Sequence, residues 1–219
     1  LKTNKVFLKE NDNADDPCTR LYLVRHGELV TSKEWRYVGQ MDVELNEVGK
    51  EQIKMLANRL LDENIDIMIS SDLKRTIESA KIIGQKIGVL NKAVKEFREI
   101  DLGIWEGLTL DEIVEQFPDE LIRRSADIGN YKVDQGESFL EVKKRVMPRL
   151  LDYIKNYSDK KVLLVAHGGV NRVILSDALG MSINDIVRIE QNYACLNIID
   201  YYKSGPVVKL LNENSLMDS

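Results

Sequence analysis

Three short apolar runs punctuate the chain: LYLV at 21–24, IDIMI at 65–69 and VLLVA at 162–166. Each has the length of a strand and each stops at polar or small residues. Between them the apolar period changes. From about 46 to 62, Ile53, Leu56, Ala57, Leu60 and Leu61 recur at the spacing that gives a helix one buried face. Over 73 to about 87, Leu73, Ile77, Ala80 and Ile83 do the same, with Asp72 as the expected N-cap. Residues 94–98 read as a short strand, and 99–137 as a Gly-punctuated stretch with small helices, one opened by the capping box Thr109 to Glu112. A second capping box, Ser138 with Glu141, opens a helix to about 157 that buries Phe139, Val142, Val146, Leu150 and Ile154 and should kink at Pro148. VLLVA then feeds through HGG into a helix that stops near Gly180. Finally, LNIIDYY and PVVKLL flank Lys203, Ser204 and Gly205, which predicts a hairpin at a sheet edge.

Strands alternating with helices imply an α/β domain built on a mainly parallel sheet covered on both faces. The expected layout is a flexible lead-in over 1–20, one domain over 21–210 and a short polar tail over 211–219. Residues 9–20 are charged and rich in Asn and Asp, while KVFL before them is open between lead-in and extra strand.

Composition narrows the function classes. The chain of 219 residues carries 31 basic and 36 acidic side chains, a formal charge of −5, with the two signs interspersed. That pattern excludes a nucleic-acid footprint and a polybasic membrane patch, so an anion site must be local. Cys18 and Cys195 are isolated, which speaks against a disulfide framework or structural zinc and makes a reducing, cytoplasmic setting the default. No run is apolar enough to span a membrane, and the first twenty residues lack the apolar segment of a signal peptide.

The candidate chemistry lies where the apolar runs stop. The chain has two histidines, and both follow a predicted strand and precede a glycine: His26 in VRHGE and His167 in VAHGG. Arg25 adjoins His26, and Arg75 falls at about the third position of the helix after the second strand. In open α/β sheets these strand ends share one rim, faced by helix N-termini. Two guanidinium forks match phosphate oxygens, a neutral imidazole is a competent nucleophile, and Gly27, Gly168 and Gly169 allow close backbone approach. Each residue has a plainer reading. A histidine after an apolar run is commonly structural, an arginine can be a surface ion-pair partner worth at most about 1 kcal/mol, and a metal site would need paired carboxylates at ligand spacing. Spacing alone does not choose a general acid among Glu96, Glu99, Asp101 and Glu106.

RHGE at 25–28, SSDLKRTIESA at 70–80, REIDLGIWEG at 98–107, QGESF at 135–139 and VAHGGVNR at 165–172 resemble, in order, the motifs of the histidine phosphatase superfamily in its phosphoglycerate-mutase-like branch. The resemblance implies a three-layer α/β/α fold, His26 as a nucleophile that forms a phosphohistidine, and Glu99 as general acid and then base. It further implies phosphate contacts from Arg25, Arg75 and His167, with weaker ones from Ser32 and Gly168, and no metal or organic cofactor. Leu29 and Ser32 stand where the family commonly has Thr or Ser and Asn, and Gln135 replaces a glycine of GGES. The mutases of the family carry Arg-Tyr-Gly after the acid and a longer tail, whereas this chain has DLGIWEGL and ends LNENSLMDS, so the resemblance implies a phosphatase.

RYVGQMDVELNEVG at 36–49 is similar to α-ribazole-5′-phosphate phosphatases of cobalamin synthesis, which grade into broad-specificity members. Trp35, Tyr37, Trp105 and Tyr131 could then offer a stacking surface, and residues 105–137 a lid. The expected partner is a small-molecule phosphomonoester, with no nucleic acid or membrane partner and a homodimer left open. Phosphoglycerate mutase, a protein phosphatase and a non-catalytic phosphate-binding module are the alternatives.

Overall fold

The computed structural model describes residues 17–32 and 34–214. Six strands and six α-helices follow one another as β1 (Thr19–Arg25), α1 (Glu47–Arg59), β2 (Ile67–Ser70), α2 (Lys74–Ile87), β3 (Asn91–Ala93), α3 (Leu110–Gln116), α4 (Glu120–Ala126), α5 (Phe139–Asn156), β4 (Lys161–Ala166), α6 (Gly168–Ala178), β5 (Leu196–Tyr202) and β6 (Gly205–Glu213). They form one sheet in the order β3-β2-β4-β1-β5-β6. The first four strands of that order pair in parallel, while β5 runs antiparallel to β1 and β6 to β5, giving the expected antiparallel edge.

Alternation along the central strands builds two cores. Leu21 and Leu23 of β1, with Leu164 of β4, meet Val142, Val146 and Leu150 of α5 and Val173 of α6 on one face. Tyr22, Val24 and Leu163 meet Ile53, Leu56 and Ala57 of α1 and Ala80 and Ile83 of α2 on the other. Because strand side chains point alternately to opposite faces, each central strand feeds both cores and reads as an unbroken apolar run. The result is the three-layer α/β/α arrangement.

Both capping boxes form as expected. The helix expected to kink at Pro148 runs from Phe139 to Asn156 through that proline. Other expectations need correction. The strand expected at 94–98 lies at Asn91–Ala93, and Lys95–Phe97 is a short 3₁₀ turn that buries Phe97. Its sequence Asn-Lys-Ala is mostly exposed on the sheet edge, so it leaves no hydrophobic signal. Leu73, not Asp72, is the N-cap of α2; the first helical N–H, on Lys74, donates to Asp42 Oδ1 at 2.7 Å, and Asp72 instead accepts both arms of Arg98.

Leu61 and Ile77, expected in the core, are 47% and 40% exposed. α1 ends at Arg59 before Leu61 can join its buried face, and α2 turns Arg75, Thr76 and Ser79 inward in place of Ile77. β1 opens at Thr19, inside the segment read as lead-in, and β6 runs to Glu213, past the expected boundary at 210. KVFL and the last five residues lie outside the described residues. Among the described residues no helix is long and apolar enough to cross a membrane.

Candidate active site

The parallel strands β1 and β4 end in register, Arg25 beside Ala166, so His26 and His167 emerge side by side. Their ring centroids are 5.3 Å apart at an interplanar angle of 63°. β2 runs parallel to β4, and the turn after it brings Arg75 to the same rim on the first turn of α2. Both imidazoles and the Arg75 guanidinium are almost fully buried.

Hydrogen bonds fix the two tautomers. His26 Nδ1 lies 2.8 Å from the Gly27 carbonyl oxygen, which can only accept, so Nδ1 carries the proton and Nε2 keeps its lone pair. His167 Nδ1 accepts the Arg75 Nε–H at 3.1 Å, which places the His167 proton on Nε2. That Nε2–H is buried without a partner. An unmade donor of this kind costs about 1–3 kcal/mol. Burial, reinforced by the Arg75 and Arg25 guanidiniums, holds His26 well below its ordinary 6.5, and burial, Arg75 and His26 do the same to His167. Both rings are neutral at pH 7.

Arg75 is held by more than His167. Its two terminal nitrogens donate to the carbonyls of Met41 and Gly39, each at 2.7 Å, and burial pulls the guanidinium down to about 10. Arg25 donates to the Gln191 carbonyl at 2.5 Å, lies 4.0 Å over the Tyr193 ring, and keeps a buried Nε–H unpartnered. Glu99 accepts the N–H of Ile100 through Oε1 and that of Gly169 through Oε2, both at 2.9 Å. A Cβ on Gly169 would lie 2.4 Å from Glu99 Oε1, so only glycine lets the carboxylate reach the start of α6.

These groups surround a cavity of about 180 Å³ whose lining includes Arg25, His26, Arg75, Glu99, Gly168 and Gly169. His167 does not itself line the cavity but adjoins two residues that do, His26 at 5.3 Å between ring centroids and Gly168 next in the chain. Ser32 is not brought to the cavity: its hydroxyl donates to Glu28 Oε1 at 2.6 Å. Leu29 does line it, as an apolar wall. Gln135 has φ +60°, in the left-handed region where a glycine is unstrained. Of the four aromatics, Trp35 and Tyr37 line the cavity, whereas Trp105 is fully buried and Tyr131 donates its hydroxyl to Glu120. Among the described residues no group of His, Cys, Asp and Glu side chains has the arrangement of a metal site.

Sequence reading missed three arginines. Arg124 of α4 and Arg172 of α6 line the cavity. Arg145 of α5 lies behind Glu99, donating to the carbonyls of Glu96, Arg98 and Glu99 at 2.7–2.9 Å and taking both Glu137 oxygens at 2.8 Å. Glu137 is the acidic residue of QGESF, so it clamps the segment that carries Glu99 without touching the cavity, which that motif reaches only through Phe139. Only the HGGVNR run, which ends on Arg172, gave any local signal of them.

The model of the histidine phosphatase superfamily, branch 1, matches residues 21–214. The chain belongs to that family. Phosphoserine phosphatase 1 of Hydrogenobacter thermophilus is 31% identical over 195 residues, covering 88% of this chain and 92% of that protein. A probable phosphoglycerate mutase of Yersinia pestis is 31% identical over 188 residues, covering 84% and 86%. Among solved structures, a mycobacterial glucosyl-3-phosphoglycerate phosphatase complexed with VO3 superposes with a TM-score of 0.81 at 26% identity, covering 89% of this chain and 98% of its own. A putative α-ribazole-5′-P phosphatase from Escherichia coli reaches a TM-score of 0.81 at 22% identity, covering 90% and 97%, which is likeness of fold alone.

Proposed function

We propose that this member of the histidine phosphatase superfamily is a metal-independent phosphomonoester hydrolase that works through a phosphohistidine on His26. The observation that carries the reading is the fixed tautomer of His26. Its Nδ1–H is tied to the Gly27 carbonyl and its neutral Nε2 belongs to a cavity rimmed by arginines. In the first step the Nε2 lone pair forms the N–P bond while the P–O bond to the alcohol breaks, and Glu99 donates a proton to the leaving oxygen. Water then attacks phosphorus, Glu99 takes a proton from it, and the N–P bond returns its electrons to His26.

Arg25, Arg75 and the unpartnered Nε2–H of His167 supply donors to the phosphoryl oxygens, and the backbone N–H of Gly168 at the start of α6 adds another. These fixed charges do the work a cation would do elsewhere. Trp35 lines the cavity and is 56% exposed, which supports a cavity open to solvent and a hydrolase reading over a mutase cycle. An α-ribazole 5′-phosphate substrate is supported by the likeness of residues 36–49 and by the aromatic edge that Trp35 and Tyr37 form in the cavity lining.

Turnover of p-nitrophenyl phosphate in EDTA, with acid-quenched trapping of the phosphoenzyme, tests the reading. The enzyme should turn over and label, and His26→Ala should do neither. Labelling that persists in His26→Ala would remove the nucleophile, and tight phosphate binding without turnover would favour a non-catalytic module.

A further inference from the structure

Of the carboxylates that spacing left open as general acid, Glu96, Asp101 and Glu106 do not line the cavity. Glu96 pairs with Arg149 at 3.8 Å, and Asp101 accepts the Gly103 N–H of its own turn at 2.9 Å. Glu106 has no such plain account. It is half-buried, makes no ion pair among the described residues, and is pushed up from the ordinary carboxylate range by burial. A carboxylate drawn out of water without a cation beside it is costly unless backbone donors satisfy it. Its Oε1 accepts two of them, the Gln40 N–H at 2.6 Å and the Leu102 N–H at 3.3 Å.

Gln40 belongs to the loop 39–42, and each residue of that loop bears on the site. The Gly39 and Met41 carbonyls accept the two terminal nitrogens of Arg75, each at 2.7 Å. The Gln40 side chain donates through Nε2 to the Glu99 carbonyl at 3.1 Å. Asp42 accepts the Lys74 N–H at the start of α2, one residue before Arg75. The loop therefore joins the buried guanidinium to the backbone of the general acid. Glu106 fastens it closely: a Cβ on Gly39 would overlap Glu106 Oε1, and Gly39 has φ +51°, so both the approach and the turn require glycine there. The neighbouring chain is paired independently, the Tyr37 N–H to the Leu108 carbonyl at 2.9 Å and the Gly107 N–H to the Tyr37 carbonyl at 2.8 Å. Loss of the Glu106 bond thus leaves the two segments joined and loosens the loop 39–42.

We infer that Glu106 is a positioning residue: through its bond to the Gln40 N–H it sets the loop 39–42, and through that loop it sets Arg75 and Glu99 relative to one another. It touches neither substrate nor reacting atoms. The role asks for an acceptor oxygen at that reach and not for a charge. The inference rests on the phosphatase reading for the tasks of Arg75 and Glu99.

Two substitutions separate reach from charge. Glu106→Gln keeps an oxygen at the same reach and removes the charge, whereas Glu106→Asp keeps the charge and draws the oxygen back by one methylene. Calorimetry with inorganic phosphate reads the Arg75 arm without turnover, and kcat on an alkyl phosphate against p-nitrophenyl phosphate reads the Glu99 arm. Glu106→Asp should bind phosphate about 10-fold more weakly and lose about 10- to 100-fold in kcat on the alkyl ester, with a smaller loss on p-nitrophenyl phosphate. Glu106→Gln should stay close to the unaltered protein in both. Gln40→Ala removes the amide that reaches Glu99 and keeps the N–H that reaches Glu106, so it should lower kcat on the alkyl ester and leave phosphate affinity in place. Unchanged affinity and kcat in Glu106→Asp overturn the inference, and so does a loss in Glu106→Gln as large as that in Glu106→Asp, which would make the charge the active property. If Glu106→Asp does not fold, Gln40→Ala decides, since an unchanged kcat on the alkyl ester there also overturns it. Failure of the phosphatase reading shows separately, as absence of p-nitrophenyl phosphate turnover by the unaltered enzyme.

Discussion

Gly169 and Glu99 illustrate how one missing side chain sets the position of another. Oε2 of Glu99 accepts the Gly169 N–H at 2.9 Å, and Oε1 stands where a Gly169 Cβ would be. Gly169→Ala should push the carboxylate off the start of α6 without removing it. Its kcat should fall about 100-fold on an alkyl phosphate, because proton donation to a poor leaving group depends on placement. With p-nitrophenyl phosphate, whose leaving group needs little protonation, the loss should be much smaller. Glu99→Gln should show the same asymmetry more strongly, about 10²- to 10⁴-fold on the alkyl ester. Steady-state kinetics on both esters decides this. An equal loss on the two would give Glu99 a role other than proton transfer.

At the scale of elements, the segment from Glu96 to Gly103 has little regular structure and is held by side chains of α5 and of the loop before it. Arg145 collects three carbonyls of that segment, Glu137 accepts the Asp101 N–H at 3.0 Å, and the Glu137 N–H returns a bond to the Asp101 carbonyl at 2.8 Å. Arg145→Met keeps the aliphatic packing of the stem and removes every one of its donors. It should lower stability by about 1–3 kcal/mol and lower kcat on alkyl phosphates, with lysine unable to restore the planar fork. Urea midpoints and kcat measured together check this; a lower midpoint with unchanged kcat would make the clamp structural only.

The same contrast explains what the sequence could reveal. Periodicity marked β1, β2, β4 and the long helices because their cores are built from local repeats of apolar residues. Those repeats also carried His26, Arg75 and His167 to one rim. The clamp, the capping of α2 by Asp42 and the arrival of Arg124 from α4 are contacts between residues far apart in sequence, and no local spacing encodes them. Ser32 differs for the reverse reason: the family resemblance implied a weak phosphate contact there, but Glu28, four residues earlier, accepts its hydroxyl.

For the molecule as a whole, burying two neutral imidazoles couples the site to folding. The chain contains two histidines, and both are held well below their ordinary 6.5 in the folded state, chiefly by burial. In the unfolded chain each would protonate near pH 6.5. Between that pH and the lower folded values the unfolded state binds more protons, so stability is full above about pH 6.5 and falls as the pH drops below it. Each imidazole can contribute up to about 1.4 kcal/mol per pH unit in that window. Carboxylates held low by partners, such as Asp72 beside Arg98, lose their contribution only at more acidic pH, because they start from the carboxylate range. Urea midpoints at pH 7.5, 6.5 and 5.5, in buffers free of phosphate, should therefore be nearly level across the first interval and decline across the second. His167→Gln should reduce the decline by removing one of the two groups that cause it. A midpoint that stays level to pH 5.5 in the unaltered protein would mean that both buried rings accept protons while folded. The neutral state assigned to the His26 nucleophile would then not survive acidification.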